Sequence, residues 1–301
     1  MSGALKEVRN RIKSVQSTQQ ITKAMKMVSA AKLRRAQDAI IQMRPYAKKL
    51  QQMLTNIVSN GEGGVSMELA VVRPVEKVLV IVITSDRGLC GGYNSTLIKL
   101  AKQTIREKYN AQGAKGNTEF LPLGKKGYEH FSKNNFKVND HYWNIFTDLS
   151  FEKVQAAAKF AIDNFKSGKV DAVELVYSEF KNAATQRFIV EQFLPIPKTE
   201  KIKGEKQQDF IFEPDKDVLI EELMPKILNT QLYKAVLDAN ASEHGARMTA
   251  MDKATDNAAE LLKALKISYN RARQAAITTE LTEIVSGAAA LQGSNPYPLK
   301  G

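Results

Sequence analysis

The N-terminal region repeats apolar positions at helical spacing. Steps of three and four land on Leu5, Val8, Ile12, Val15, Gln19, Thr22, Lys26, Ser29, Leu33, Ala36, Ile40, Met43, Ala47, Leu50, Leu54 and Ile57. The two ends of that seam are apolar and its middle is polar. Around the polar stretch the apolar stripe slips sideways to Ile21, Met25 and Val28. A straight helix drifts about 20° per heptad, so a slipping stripe suits a helix that changes neighbours along its length. Pro45 removes one backbone donor, yet the seam resumes in register after it. The pattern predicts a bent but continuous helix of ~80 Å at ~1.5 Å per residue.

The C-terminal region does the same through Leu237, Ala241, His244, Met248, Met251, Thr255, Ala258, Leu262, Leu265, Tyr269, Ala272 and Ala276. There the stripe moves over by one position to Ile277, Leu281, Ile284, Ala288 and Leu291. This helix could reach ~110 Å. Neither helix buries its stripe alone. The simplest solution is an antiparallel two-stranded coiled coil of the two chain ends, with the middle of the chain inserted between them. The second helix is the longer, so its end projects with a small, nearly uncharged tip from Ser286 to Gln292.

The middle reads as α/β. Val78-Leu-Val-Ile-Val-Ile83 has the continuous apolar character of a parallel strand covered on both faces. Further strands are expected at 118–123, around Val173, Leu175 and Tyr177, at 185–194, and as an edge at 209–212. Helices are expected at 95–112 and 151–166. Alternation of strand and helix predicts a Rossmann-like sheet. The resulting division is 1–59 for the first coiled-coil helix, 75–214 for the inserted domain, and 215–301 for the second helix and tip. A Gly61-Glu-Gly-Gly64 break and a proline-rich tail punctuate it.

Composition narrows the chemistry. The 301 residues carry a formal charge of +12, which attracts nucleic acid, anionic lipid or acidic protein without choosing among them. Cys90 is the sole cysteine, so no disulfide or thiolate zinc site can form within the chain, and a reducing compartment fits. No apolar run approaches the ~20 residues of a membrane helix. Acidic Glu7 and Asp38 speak against a transit peptide.

The loop Ser85-Asp-Arg-Gly-Leu-Cys-Gly-Gly-Tyr-Asn94 follows a buried strand and opens a helix, where α/β proteins cradle phosphates. Its spacing is not a dinucleotide fingerprint and it lacks the lysine of a P-loop, so a tight structural turn is the better reading. His130, His141 and His244 are scattered without metal spacing, and no nucleophile triad is visible. The basic run from Lys23 to Arg35 fits phosphate contact or an acidic protein equally, although it lacks aromatics for base stacking.

Three segments together resemble one family. These are the glycine loop 85–94, the run Ile277-Thr-Thr-Glu-Leu-Thr-Glu-Ile-Val-Ser-Gly-Ala-Ala-Ala290, and Ile21-Thr-Lys-Ala-Met-Lys-Met-Val28 with Arg44-Pro-Tyr46. They are similar to the gamma subunit of F-type ATP synthases, and the likeness spans nearly the whole chain. The resemblance implies a non-catalytic rotor shaft without cofactor or metal. It implies alpha and beta subunits, an epsilon subunit and a c-subunit ring as partners, with no nucleic acid. Membrane contact is expected only through those partners, at the cytoplasmic face of a bacterial inner membrane. The coupling contacts it implies fall on Met25, Arg247, Arg273, Gln274, Thr278 and Glu280. Arg87 and Cys90 are expected to face the beta levers, and Phe210 and Phe212 to lie in a foot over the c ring. A single cysteine means that the regulatory insert of plant-type members is missing, which fits the bacterial type.

Overall fold

The computed structural model describes residues 3–59, 68–196 and 216–293. The expected edge strand at 209–212, with Phe210 and Phe212, lies outside the described residues. In chain order the elements are α1 (Gly3–Ser59), β1 (Val78–Ile83), α2 (Tyr93–Lys108), α3 (Asn110–Ala114), β2 (Thr118–Leu123), α4 (Lys125–Lys133) and β3 (Lys137–Val138). A 3₁₀ turn (Ile145–Thr147), α5 (Phe151–Lys166), β4 (Ala172–Phe180), β5 (Gln186–Leu194) and α6 (Lys216–Gly293) follow. Two compact units result. One is Met1–Lys26 with Met251–Gly301, the other Met27–Ala250.

The larger unit is built on a five-stranded sheet of order β3-β2-β1-β4-β5. Pairs β1·β2, β1·β4 and β2·β3 are parallel, and β5 closes the sheet antiparallel to β4. The central strand explains the core. Alternate side chains point to opposite faces, and all six residues of β1 are buried. Leu79, Ile81 and Ile83 meet α5 through Val154, Ala158 and Phe165, and α6 through Leu228, Leu232 and Val236. Val78, Val80 and Val82 meet α2 through Tyr93, Leu97 and Ala101, and α4 through Phe131. Each fully buried Leu, Ile or Val contributes about 1.5–3 kcal/mol, so β1 anchors both layers.

Within this unit α1 and α6 also pack together. Leu33, Ala36 and Ile40 form a cluster with Leu237, Ala241 and Phe180. Pro45 lies inside α1, which continues to Ser59.

The smaller unit is an antiparallel helix pair. Arg9 Nη2 donates to Tyr269 Oη at 2.9 Å, Thr22 and Thr255 share a hydroxyl bond of 2.8 Å, and Lys26 pairs with Asp252. Numbering rises along α1 as it falls along α6. Leu262 and Leu265 are buried between them, as is Leu5.

Three local expectations change. The helix expected at 95–112 breaks at Tyr109 (φ −132°, ψ 38°), where the phenol donates to buried Glu174 Oε1 at 2.7 Å. That reach turns the backbone out of helical conformation and separates α2 from α3. Second, α4 and β3 escaped the sequence pattern, because α4 buries only Gly127 and Phe131. Third, the apolar stripe of α1 does not slip inward at Ile21 and Val28, which are 56% and 57% exposed. The original seam holds instead, with Thr22 and Ser29 buried. A hydroxyl that bonds Thr255 can be buried at low cost, and short side chains let helices approach.

Candidate functional site

Two places collect the residues singled out by sequence, and each lies within one unit.

In the larger unit the strand-to-helix loop after β1 is locked from several sides. Ser85 N donates to Asn94 Oδ1 at 3.0 Å, and Ser85 Oγ to the Arg87 carbonyl at 2.7 Å. Asn94 Nδ2 donates to Ser85 Oγ at 2.8 Å and Cys90 Sγ at 3.3 Å. The loop is then clamped to α6. Arg247 Nη2 donates to the carbonyls of Arg87 at 2.9 Å and Gly88 at 3.2 Å, and Tyr93 Oη to Ala239 O at 3.0 Å. Arg247 is itself ion-paired with Glu243 one turn earlier, both nearly buried. His244 Nδ1 lies 2.8 Å from Glu243 Oε2. Arg247 therefore joins one carboxylate and two carbonyls. Hydrogen bonds from a charged donor of this kind are stronger than neutral ones.

The loop's geometry revises one expectation. Cys90 does not face outward. It is 2% exposed and packs with Val80, Tyr93 and Leu97. Burial pushes its thiol pKa up, which keeps it protonated and unreactive. The apolar side chain shown to solvent is its neighbour Leu89, 64% exposed at φ 65°. A left-handed φ is costly for a branched residue and persists only where surroundings enforce it. Here the two Arg247 bonds hold the preceding carbonyls. The alternation of faces hides such detail in sequence. The Glu243–Arg247 spacing of four was the readable signal that was missed.

The loop also makes no nucleotide cradle. The side chains of Ser85, Cys90 and Asn94 are engaged with one another, Asp86 Oδ1 accepts from Lys125 N, and the cavity beside the loop, about 290 Å³, is lined by Asp86 and Glu243 as well as Lys32, Arg87 and Arg247. Among the described residues no group of His, Cys, Asp and Glu could hold a metal ion.

In the smaller unit Met25 is half-buried on the turn that carries the Lys26–Asp252 pair. Arg273, Gln274, Thr278 and Glu280 sit together on α6, all exposed. Thr278, Thr279 and Thr282 return their hydroxyls to the carbonyls of Gln274, Ala275 and Thr278 at 2.8–3.0 Å. That satisfies the polar atoms within the helix and leaves methyl groups outward. From Ile277 to Leu291 every residue is exposed, including Ile277 (50%), Leu281 (57%), Ile284 (68%) and Val285 (67%). An apolar stripe of that length in water is the mark of an interaction surface.

Comparison with known proteins agrees with this architecture. The family model described as ATP synthase matches residues 4–291. The ATP synthase gamma chain of Cytophaga hutchinsonii is 52% identical over 292 residues, covering 96% of this chain and 99% of that protein. The gamma chains of Chlorobium phaeobacteroides and Flavobacterium johnsoniae are 50% and 52% identical at the same coverage. The chain belongs to the ATP synthase gamma chain family. Among solved structures, a chain of the Euglena gracilis mitochondrial ATP synthase (OSCP/F1/c-ring, rotational state 3) superposes with a TM-score of 0.69 at 21% identity, covering 99% of this chain and 98% of that one. A chain of the Tetrahymena thermophila mitochondrial ATP synthase central stalk/c-ring gives 0.56 at 24% identity, covering 78% and 99%. At those identities the likeness is one of fold. As a gamma chain, this protein is part of an enzyme complex. Among the described residues no helix is long and apolar enough to cross a membrane.

Proposed function

We propose that this chain is the central rotor shaft of a bacterial F-type ATP synthase, and that it couples proton-driven rotation of a membrane c ring to conformational cycling of catalytic beta subunits. The observation that carries this is the end of α6. Its apolar stripe at Ile277, Leu281, Ile284 and Val285 is exposed, in continuation of a seam that is buried at Leu262 and Leu265. Such an end fits a sleeve formed by partner subunits, where apolar contact with few hydrogen bonds permits turning.

The mechanism needs asymmetry, not catalysis. Three equivalent sites around a symmetric axle have no reason to differ. A chemically uneven axle binds each site's neighbourhood differently and so favours a different conformation at each. Coupling is reciprocal: shaft angle biases nucleotide affinity, and occupancy biases shaft angle. In this reading Met25, Arg273, Gln274, Thr278 and Glu280 carry the contacts with the alpha and beta ring, and Arg247, nearly buried, acts through the loop carbonyls it holds. Arg87 belongs to the loop that meets the beta levers, with Leu89 in the outward place first given to Cys90. Phe210 and Phe212 belong to the foot over the c ring, near the epsilon subunit. The chain is non-catalytic, without cofactor, and peripheral on the cytoplasmic side of the inner membrane. Relatives named as gamma chains over 96% of this sequence support the reading.

Reconstitution tests it. Purified chain mixed with alpha and beta subunits should restore ATPase activity, and a probe fixed to the chain should rotate during hydrolysis. Failure to associate with those subunits, with salt-dependent retention on DNA instead, would overturn the proposal.

A further inference from the structure

A groove of about 900 Å³ runs between α2 and α4, on the sheet face opposite α5. Both helices present cations to it at helical spacing. Lys99, Lys102 and Arg106 follow one another on α2, and Lys126 and Lys133 lie on α4. The carboxylates nearby do not balance them. Glu129 is taken by Lys126 at 2.6 Å and Lys125 at 3.9 Å, and Glu107, which accepts from the neutral Gln103 amide at 2.7 Å, offsets only one of the cations. His130 adds no anion. Burial and the Lys102 charge hold its pKa below the usual imidazole range, so it is neutral at pH 7. Among the described residues, Lys99, Lys102, Arg106 and Lys133 make no ion pair. Lys102 instead lies 5.9 Å from the ring centre of Phe136.

Like charges three and four apart on one helix face repel and weaken the helix. Lys102 gains the Phe136 ring and Arg106 the carbonyl end of α2, but among the described residues no carboxylate pairs with either or with Lys99. We infer that the α2–α4 groove is a docking site for an acidic helical segment of a protein partner. Carboxylates repeating every three or four residues would meet the same spacing on α2. The apolar side chain of Ile98 and the lysine stems would cover the segment's aliphatic parts. The cations extend ~10 Å along each helix at ~1.5 Å per residue, more than one phosphate spans. The one aromatic ring in the lining is His130, and no Phe, Tyr or Trp is there for base stacking. Protein carboxylates therefore suit it better than inorganic phosphate or single-stranded nucleic acid. The inference stands apart from the rotor reading, and a failed reconstitution would not bear on it.

The test uses the full chain and a fluorescent synthetic peptide with glutamates at helical spacing, beside the same peptide with glutamine in their place. The glutamate peptide should bind at least about tenfold more tightly, in a salt-dependent way. Zero-length carbodiimide coupling followed by peptide mapping should place its cross-links on Lys99, Lys102, Lys126 or Lys133. A variant carrying Lys99→Gln, Lys102→Gln and Arg106→Gln should lose at least about tenfold in affinity, with an unchanged melting midpoint as the folding control. If that variant is unstable, exposed Lys99→Gln alone and the cross-link map of the unaltered chain decide. Cross-links confined to Lys23, Lys26 and Lys32, or unchanged binding by the variants, would overturn the inference. So would tighter binding of an oligodeoxynucleotide, or displacement of the peptide by inorganic phosphate.

Discussion

Replacing Arg247 by methionine isolates the clamp between α6 and the β1–α2 loop. Methionine keeps much of the side chain's length and apolar contact. What it removes is the ion pair with Glu243 and the bonds of 2.9 and 3.2 Å to the carbonyls of Arg87 and Gly88. Glu243, only 7% exposed, is left as a buried charge. Breaking a buried pair from one side costs about 3–5 kcal/mol, because the surviving charge loses its guanidinium partner. With a urea slope of about 1–3 kcal/mol/M, the unfolding midpoint should fall by roughly 1 M or more. The companion change Glu243→Gln removes that charge, so the double variant should recover part of the loss, with a coupling of about 0.5–3 kcal/mol. Urea unfolding followed by circular dichroism gives the midpoints. Amide exchange at residues 87–90 reports the loop, which should open faster in the single variant. If Arg247→Met leaves both the midpoint and loop exchange unchanged, or if the two changes add without coupling, Arg247 does not hold the loop. The strain at Leu89 would then need another cause.

Three further outcomes are expected. Burial pushes the Asp238 carboxyl up to about 6, against partial relief from Lys234 and Arg44. A raised carboxylate pKa stabilises the fold while protonated, so this contribution is present below about pH 4 and is lost as pH rises to about 6. Asp238→Asn should therefore add roughly 1–3 kcal/mol at pH 7 and flatten that part of the pH–stability curve; an unchanged slope between pH 4 and 6 would count against it. Gly124 has φ 129°, and an added Cβ would meet the Thr84 carbonyl oxygen and lie 2.7 Å from Thr84 Oγ1. Gly124→Ala should cost at least about 1–3 kcal/mol from backbone strain, visible as a lower thermal midpoint, and a parental midpoint would refute it. Met25→Lys puts a charge on a half-buried position and should leave assembly intact while lowering coupling between proton flow and ATP synthesis in membrane vesicles; equal coupling in variant and parent would speak against Met25 as a contact.

What could be read in advance follows from how strongly each segment is buried. The β1 run is apolar at every position because both faces are covered, and so it stood out. The helix at 151–166 was equally legible, with Val154, Ala158 and Phe165 on one face and Ser150 accepting from Lys153 N at 3.4 Å as its cap. By contrast α4 carries its weight on one phenylalanine and one glycine. Gly127 is there because an added Cβ would lie 2.8 Å from Thr84 Oγ1, a close approach between segments far apart in sequence. The polar seam at Thr22 was misread for a related reason. Hydrophobic periodicity registers Ile21 and Val28 as inward, whereas a hydroxyl with a partner at Thr255 is equally suited to burial. Cys90 is buried and Leu89 exposed because a tight loop sets direction by φ and hydrogen bonds, which residue type alone does not disclose.

The course of the α6 stripe argues for two successive environments along one helix. Leu262 and Leu265 are buried against α1, and Tyr269 still receives a bond from Arg9. Among the described residues Ala272 and Ala276 are the last half-buried ones, and at Ile277 the apolar positions shift by one and become exposed. Had the helix merely frayed into solvent, nothing would preserve isoleucine and leucine at helical spacing there, since exposed apolar surface of that extent promotes aggregation. A surface that is apolar and has already satisfied its polar atoms can slide against an apolar wall without exchanging hydrogen bonds at each step. Ile284→Asp should separate these alternatives. Under the rotor reading it places a charge inside the sleeve and should weaken association with the alpha and beta ring by about 1–3 kcal/mol or more, while leaving the chain's own melting midpoint unchanged. A variant that associates as tightly as the parent would mean that this stripe meets no apolar wall.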